Sequence, residues 1–168
     1  MLEPWLRGTL TEVDPIRRAV LHALELTRED IARWCGPLTE ADLEARPHGL
    51  PAVAFQLRHI VRSLDRLLTY AEGSQLSPDQ LLALSSEHEP TSREALFAEF
   101  TSGLNSAIQR IRAINPETVG KPRAVGRKLL STTVGGLLVH CADHTQRHTG
   151  QAVTTAKVVV QISTTHQQ

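Results

Sequence analysis

Cysteine is scarce in this chain: its 168 residues include two, Cys35 and Cys141. That is too few for the disulfide framework that staples small secreted domains, and the two are read as separate reduced thiols. Charge of one sign is missing as well, because 18 Lys and Arg balance 18 Asp and Glu. No global field then favours nucleic acid or an anionic membrane as a partner. No apolar run approaches the ~20 residues needed to span a bilayer. The opening MLEPWLRGTL lacks the basic-then-apolar order of a signal peptide, so a cytoplasmic protein is the expectation. Strand-like alternation and internal repeats are absent too. The length suits one domain, residues 1–168, with a sizeable core.

What the chain does have is helical periodicity. Asp14-Pro15 supplies an N-cap residue followed by proline at the first helical position. Val13, Ile16, Val20, Ala23 or Leu24, Thr27, Ile31 and Trp34 follow at helical spacing up to the stop at Gly36-Pro37. His22 falls off this stripe and is expected at solvent. The stretch from Leu38 to Pro51, with Pro47 and Gly49, is a connector with room for one helical turn at Thr39–Asp42, and His48 is expected to be exposed in it. A second helix runs from Ala52 to Glu72 and stops at Gly73. Its apolar positions are Val53, Leu57, Ile60, Leu64, Leu67 or Leu68, and Ala71, with His59 on the shoulder. Ser77-Pro78-Asp79-Gln80 opens a short helix, and His88 lies in the polar loop beyond it. Thr91-Ser92-Arg93-Glu94 is another capping box, followed by Phe97, Phe100, Leu104, Ile108 and Ile111 on a third long helix. The connector 115–130 carries Lys121, Arg123, Arg127 and Lys128, which either solvate a loop or attract an anionic substrate. Ser131, Thr132 or Thr133 caps a fourth long helix. The tail beyond Val160 is expected to fray, leaving His166 without a role. Four long amphipathic helices without strands make an all-α four-helix bundle.

Histidine marks the fourth helix, at His140, His144 and His148. With each residue turning about 100°, His144 lies about 40° and His148 about 80° from His140 on the helical wheel. The apolar arc of Leu130, Val134, Leu137, Leu138, Cys141, Ala152 and Val159 spans about 60° to about 160°. His144 and His148 therefore border or enter the core face, and His140 sits outside it. H-x-x-x-H on one helix face is metal-ligand spacing. The competing reading is a pair of core histidines satisfied by hydrogen bonds, which is expensive for two rings one turn apart. In bundles, metal sites are assembled from inward side chains of facing helices. His59 joined to His144 and His148 gives three ligands from two helices. Cys141, at about 100° on the wheel, is either a small core residue or a soft fourth ligand.

His59 within AFQLRHIVRSLDRLL and the run HCADHTQRHTGQAV together resemble the DinB-like (DinB/YfiT) superfamily of metal-binding four-helix bundles. The second run is similar to that family's H-x-x-x-H followed by R-G-Q, with Thr149 in place of the arginine ahead of Gly150 and Gln151. The likeness extends to the helix order and the loop before the second helix. It implies His59, His144 and His148 as ligands of a divalent metal, zinc or nickel foremost, and a homodimer. It also implies relatives that transfer low-molecular-weight thiols to electrophiles, alongside a thiol-dependent isomerase.

Three imidazoles leave a coordination position open. Water activation there ordinarily needs a carboxylate as general base, and Asp65 and Asp143 fall off the histidine-bearing faces, so no acidic partner is expected. A thiol brings its own nucleophile and needs only a lowered pKa. The function expected is a metal-dependent thiol S-transferase, with His140, Gln151 and Cys141 as candidates to orient the ligands or contact a substrate. The alternatives are a metal-dependent hydrolase, or a non-catalytic metal- or ligand-binding homodimeric stress protein.

Overall fold

The computed structural model describes residues 2–165, so the expectation for His166 lies outside the described residues. Six helices are present among them: α1 (Pro15–Trp34), α2 (Glu40–Glu44), α3 (Val53–Ala71), α4 (Pro78–Ser85), α5 (Arg93–Ala113) and α6 (Val134–Thr165). The long ones, α1, α3, α5 and α6, form the all-α bundle; α3 and α1 each pack against both α6 and α5. Their core meets at Leu24, Leu57, Leu104 and Leu138, each with no exposed surface.

Local chemistry sets the ends of these helices. Asp14 caps α1 by accepting from the Arg17 backbone at 3.2 Å, with Pro15 at the first position. Thr39 and Ser77 both make full capping boxes, with Asp42 and Gln80. After α3 the chain turns on Gly73 at φ 89°, a left-handed conformation that glycine adopts without a Cβ clash. Thr133 caps α6, its Oγ1 accepting from the Gly136 backbone at 3.0 Å. The α5 stripe is turned slightly from the sequence expectation: Leu96, Phe100, Leu104, Ala107 and Ile111 are buried, while Phe97 and Ile108 are partly so. Gly103 on this helix lets α3 come close, since a Cβ there would stand 2.5 Å from the Val61 Cβ.

Three further features differ from the sequence expectation. The connector 115–130 is not plain loop: β1 (Pro122–Val125) pairs antiparallel with β2 (Leu130–Thr133), Arg123 opposite Thr132. These strands are too short to register as a periodic pattern. Arg123 anchors the hairpin, donating to the Ala71 carbonyl at 2.8 Å, so this cation serves the fold. Secondly, α6 does not end near Val160 but continues to Thr165. Thirdly, His22 is buried, at 7% exposure, rather than solvent-facing. The N-terminal segment, with its 3₁₀ turn at Pro4–Leu6, lies across that face of α1. Thr9 Oγ1 stands 3.2 Å from His22 Nε2, and Arg7 bonds Glu25 at 2.9 Å and Glu29 at 2.5 Å. A helical stripe marks the face turned to other helices, and this cover comes from a segment outside them.

Candidate metal centre

The bundle brings His59 of α3 against His144 and His148 of α6. One ring nitrogen from each falls within 4.8 Å of the other two. The ring centroids stand 4.9 Å apart for His59 and His144, 4.4 Å for His59 and His148, and 4.4 Å for His144 and His148. His59 Nε2 and His144 Nε2 are 3.3 Å apart. Two nitrogens bound to zinc at ~2.0–2.1 Å in tetrahedral geometry stand about 3.3 Å from each other, so this spacing fits a first-row divalent ion.

Hydrogen bonds fix which nitrogens face inward. His59 Nδ1 lies 2.8 Å from Glu87 Oε2, and His148 Nδ1 lies 2.7 Å from Gln56 Oε1. A carboxylate and an amide oxygen only accept, so each Nδ1 carries the proton and each Nε2 keeps its lone pair. This is the outer arrangement that orients metal-binding imidazoles. Gln56 is fully buried, and its Nε2 has no partner. An orphaned buried donor costs about 1–3 kcal/mol, which the bundle sustains to keep Oε1 on His148.

Electrostatics favour the neutral form at His144 and His148. Burial pushes His144 down to about 4, helped by His148 and His59. Burial also lowers His148, with His59 and Arg147 adding to it, against an opposing hydrogen bond from Gln151. Neutral imidazole is the ligating form.

Glu87 is the residue that sequence reasoning missed, and it corrects the expectation that no acidic partner exists. Burial acts to raise its carboxyl, but the hydrogen bonds from His59 and Arg66 outweigh that and hold it below the usual carboxylate range. Its other oxygen accepts from Arg66 Nη1 at 3.0 Å. Glu87 comes from the loop after α4, and α3 clamps that loop and the end of α4 with arginines one turn apart. Arg58 bonds the Glu89 carbonyl, Arg62 Nη1 donates to the Ala83 carbonyl at 2.7 Å, and Arg66 holds Glu87 itself. The arginine repeat at 58, 62 and 66, in step with the histidine face, was the available sequence signal.

The other candidates are placed as follows. His140 is exposed, its ring 5.5 Å from His144, and Asp143 Oδ2 stands 3.9 Å from its Nδ1. Gln151 is exposed beside His148. Cys141 sits in the core at 0% exposure, its thiol pushed up to about 12 by burial, and is not among the three grouped donors. Cys35 is also buried, its thiol pushed up to about 12 by burial. Asp65 is engaged by Arg110 and Gln80, away from the histidines. His48 is exposed, and His88 stacks on Phe55 at 4.3 Å. Thr149 is buried, its hydroxyl donating to the Thr145 carbonyl at 2.8 Å.

A helical bundle carrying three histidines on two facing helices, two of them oriented by a carboxylate and an amide, defines a protein with the makings of a metal centre. A match to the DinB superfamily covers residues 23–152, and the chain belongs to that superfamily, whose members commonly bind metal. No curated protein sequence matches it. Among solved structures, a conserved protein from Enterococcus faecalis shares the fold with a TM-score of 0.70 at 17% identity. The match covers 88% of this chain and 99% of that one. No helix among the described residues is long and apolar enough to cross a membrane.

Proposed function

We propose that the protein is a metal-dependent thiol S-transferase, with His59, His144 and His148 holding one divalent ion, zinc or nickel foremost. The convergence of three imidazoles, two with their tautomer fixed for ligation, carries this reading. A divalent ion held by these three imidazoles would supply Lewis acidity and so lower the pKa of a thiol bound to it.

The protein's own groups point to thiol rather than water as the nucleophile. Glu87 is the acid nearest the ligands, yet its two oxygens are taken by His59 and Arg66. It orients a ligand and is not free to remove a proton from water. A thiol needs no such base, and neutral His144 and His148 add no competing positive charge to the site. His140 and Gln151, exposed at the rim of the α6 face, are the candidates to touch the incoming thiol or electrophile. The homodimer belongs to the same proposal, with Leu81, Leu82 and Leu84 exposed on α4 as one apolar surface to bury; light scattering on the purified protein measures it.

Cobalt substitution tests the reading. Adding a small thiol to the cobalt protein is expected to produce a thiol-dependent charge-transfer band that is absent from His144→Ala and retained by Cys141→Ala. A cobalt spectrum indifferent to thiols, together with ready metal-dependent ester or amide hydrolysis, replaces the transferase with a hydrolase.

A further inference from the structure

A cavity lies beside Phe55, whose ring stacks on His59 of the histidine cluster. It encloses about 250 Å³ and is lined by Arg46, Leu50, Pro51, Ala52, Phe55 and His88, with Gly49 at its edge. The walls are mostly apolar, and two groups break that pattern. Arg46 is exposed, and its guanidinium has no hydrogen bond or ion pair among the described residues. The arginines that structure the bundle differ from it: Arg7, Arg17, Arg62, Arg66, Arg93, Arg110 and Arg123 all donate to fixed acceptors. His88 packs flat on Phe55, with centroids 4.3 Å apart and planes at 2°, and its nitrogens make no hydrogen bond among the described residues.

Phe55 connects this cavity to the proposed metal centre. Its ring also stacks on His59, at 5.3 Å and 20°. An occupant against Phe55 and His88 therefore stands one ring away from a ligand imidazole. The chain enters α3 at the same place with Ala52 in the N-cap position, which offers no side-chain acceptor to the first helical N–H groups. Both the helix pole and Arg46 are positive, and no carboxylate lines the cavity.

We propose that this cavity is the subsite for the part of a substrate that does not react, and that it takes a small aromatic carboxylate. Apolar walls with one or two directional polar groups are the usual make-up of a small-molecule site. The volume is ample for one ring with its carboxylate, given that a cavity of ~150 Å³ admits benzene. The ring lies against Leu50, Pro51 and the Phe55–His88 pair, and the carboxylate meets Arg46, whose planar fork matches it. The assignment of a substrate to this subsite rests on the proposed enzyme reading, whereas binding to the cavity does not need the metal.

The test is binding of benzoate to metal-free protein, followed by NMR titration or calorimetry, with benzyl alcohol as the uncharged comparison. Benzoate is expected to bind, and Arg46→Gln to weaken it by about tenfold or more while leaving benzyl alcohol unchanged. His88→Ala is expected to weaken both ligands, and His144→Ala neither. Arg46 is exposed, so Arg46→Gln is expected to keep the parent melting temperature. Loss of benzoate binding in His144→Ala places the anion on the histidine cluster and overturns the proposal. So does benzoate binding that Arg46→Gln leaves intact, or no benzoate binding at millimolar concentration. A subsite that passes while the cobalt protein ignores thiols overturns the transferase and keeps the ligand site.

Discussion

Glu87→Gln isolates the contribution of one charge to the histidine cluster. The amide keeps the shape of the carboxyl and retains one acceptor oxygen. It removes the negative charge 2.8 Å from His59 Nδ1 and 3.0 Å from Arg66 Nη1. A carboxylate behind a ligating imidazole raises the basicity of the ligand, and loss of such a partner costs about 10–100-fold in metal affinity. That corresponds to about 1.4–2.8 kcal/mol. Stability changes separately. The Glu87 and Arg66 side chains are 6% and 13% exposed, so Glu87→Ala strands a nearly buried guanidinium. Breaking a buried pair costs about 3–5 kcal/mol, and Arg66 keeps Ser63 Oγ at 2.9 Å, which puts the loss near the lower end. Zinc affinity is measured by competition against a chromophoric chelator, and the unfolding of metal-free protein is followed in parallel. Glu87→Gln is expected to lose zinc affinity by about tenfold or more, and Glu87→Ala to be the more destabilised of the two in unfolding. A Glu87→Gln affinity within about twofold of the parent refutes the orienting role of this carboxylate.

Elemental analysis after dialysis is expected to find most metal gone from each of His59→Ala, His144→Ala and His148→Ala, and retained in His22→Ala, His48→Ala and His88→Ala; full occupancy in His59→Ala breaks the triad. His22→Ala is nonetheless expected to lower the melting temperature, because it removes a buried ring and its contact with Thr9. Gly103→Ala puts a Cβ 2.5 Å from Val61 Cβ, so urea denaturation should show a net loss of about 1–2 kcal/mol despite alanine's better helix propensity. An unchanged midpoint means that α3 and α5 separate freely. In metal-free protein His144 stays neutral down to about 4 from an ordinary 6.5, so the unfolded chain binds more protons between those values. The stability it contributes is complete above about pH 6.5 and is lost as the pH falls towards about 4, and His144→Ala should flatten that slope in urea titrations.

Much of this protein is determined by its sequence alone, because the deciding interactions are local or periodic. Asp14-Pro15, Thr39–Asp42 and Ser77–Gln80 cap helices through bonds three residues long, and Gly73 ends α3 through its own backbone freedom. The i, i+4 spacing of His144 and His148 places both on one face whatever packs against it. His59 was legible as a third member because it stands midway along another long helix, on the shoulder of that helix's apolar stripe. Tertiary structure decided the rest. Glu87 stands in a loop 28 residues from His59 in sequence, and the arginines of α3 hold it there. Gln56 and His148 meet across 92 residues, a contact set by the rotation of one helix against another. The burial of His22 depends on a segment outside the helices, and the cavity beside Phe55 on where two loops come to rest. Periodicity fixes the face a residue occupies, and only the packed chain fixes what that face meets.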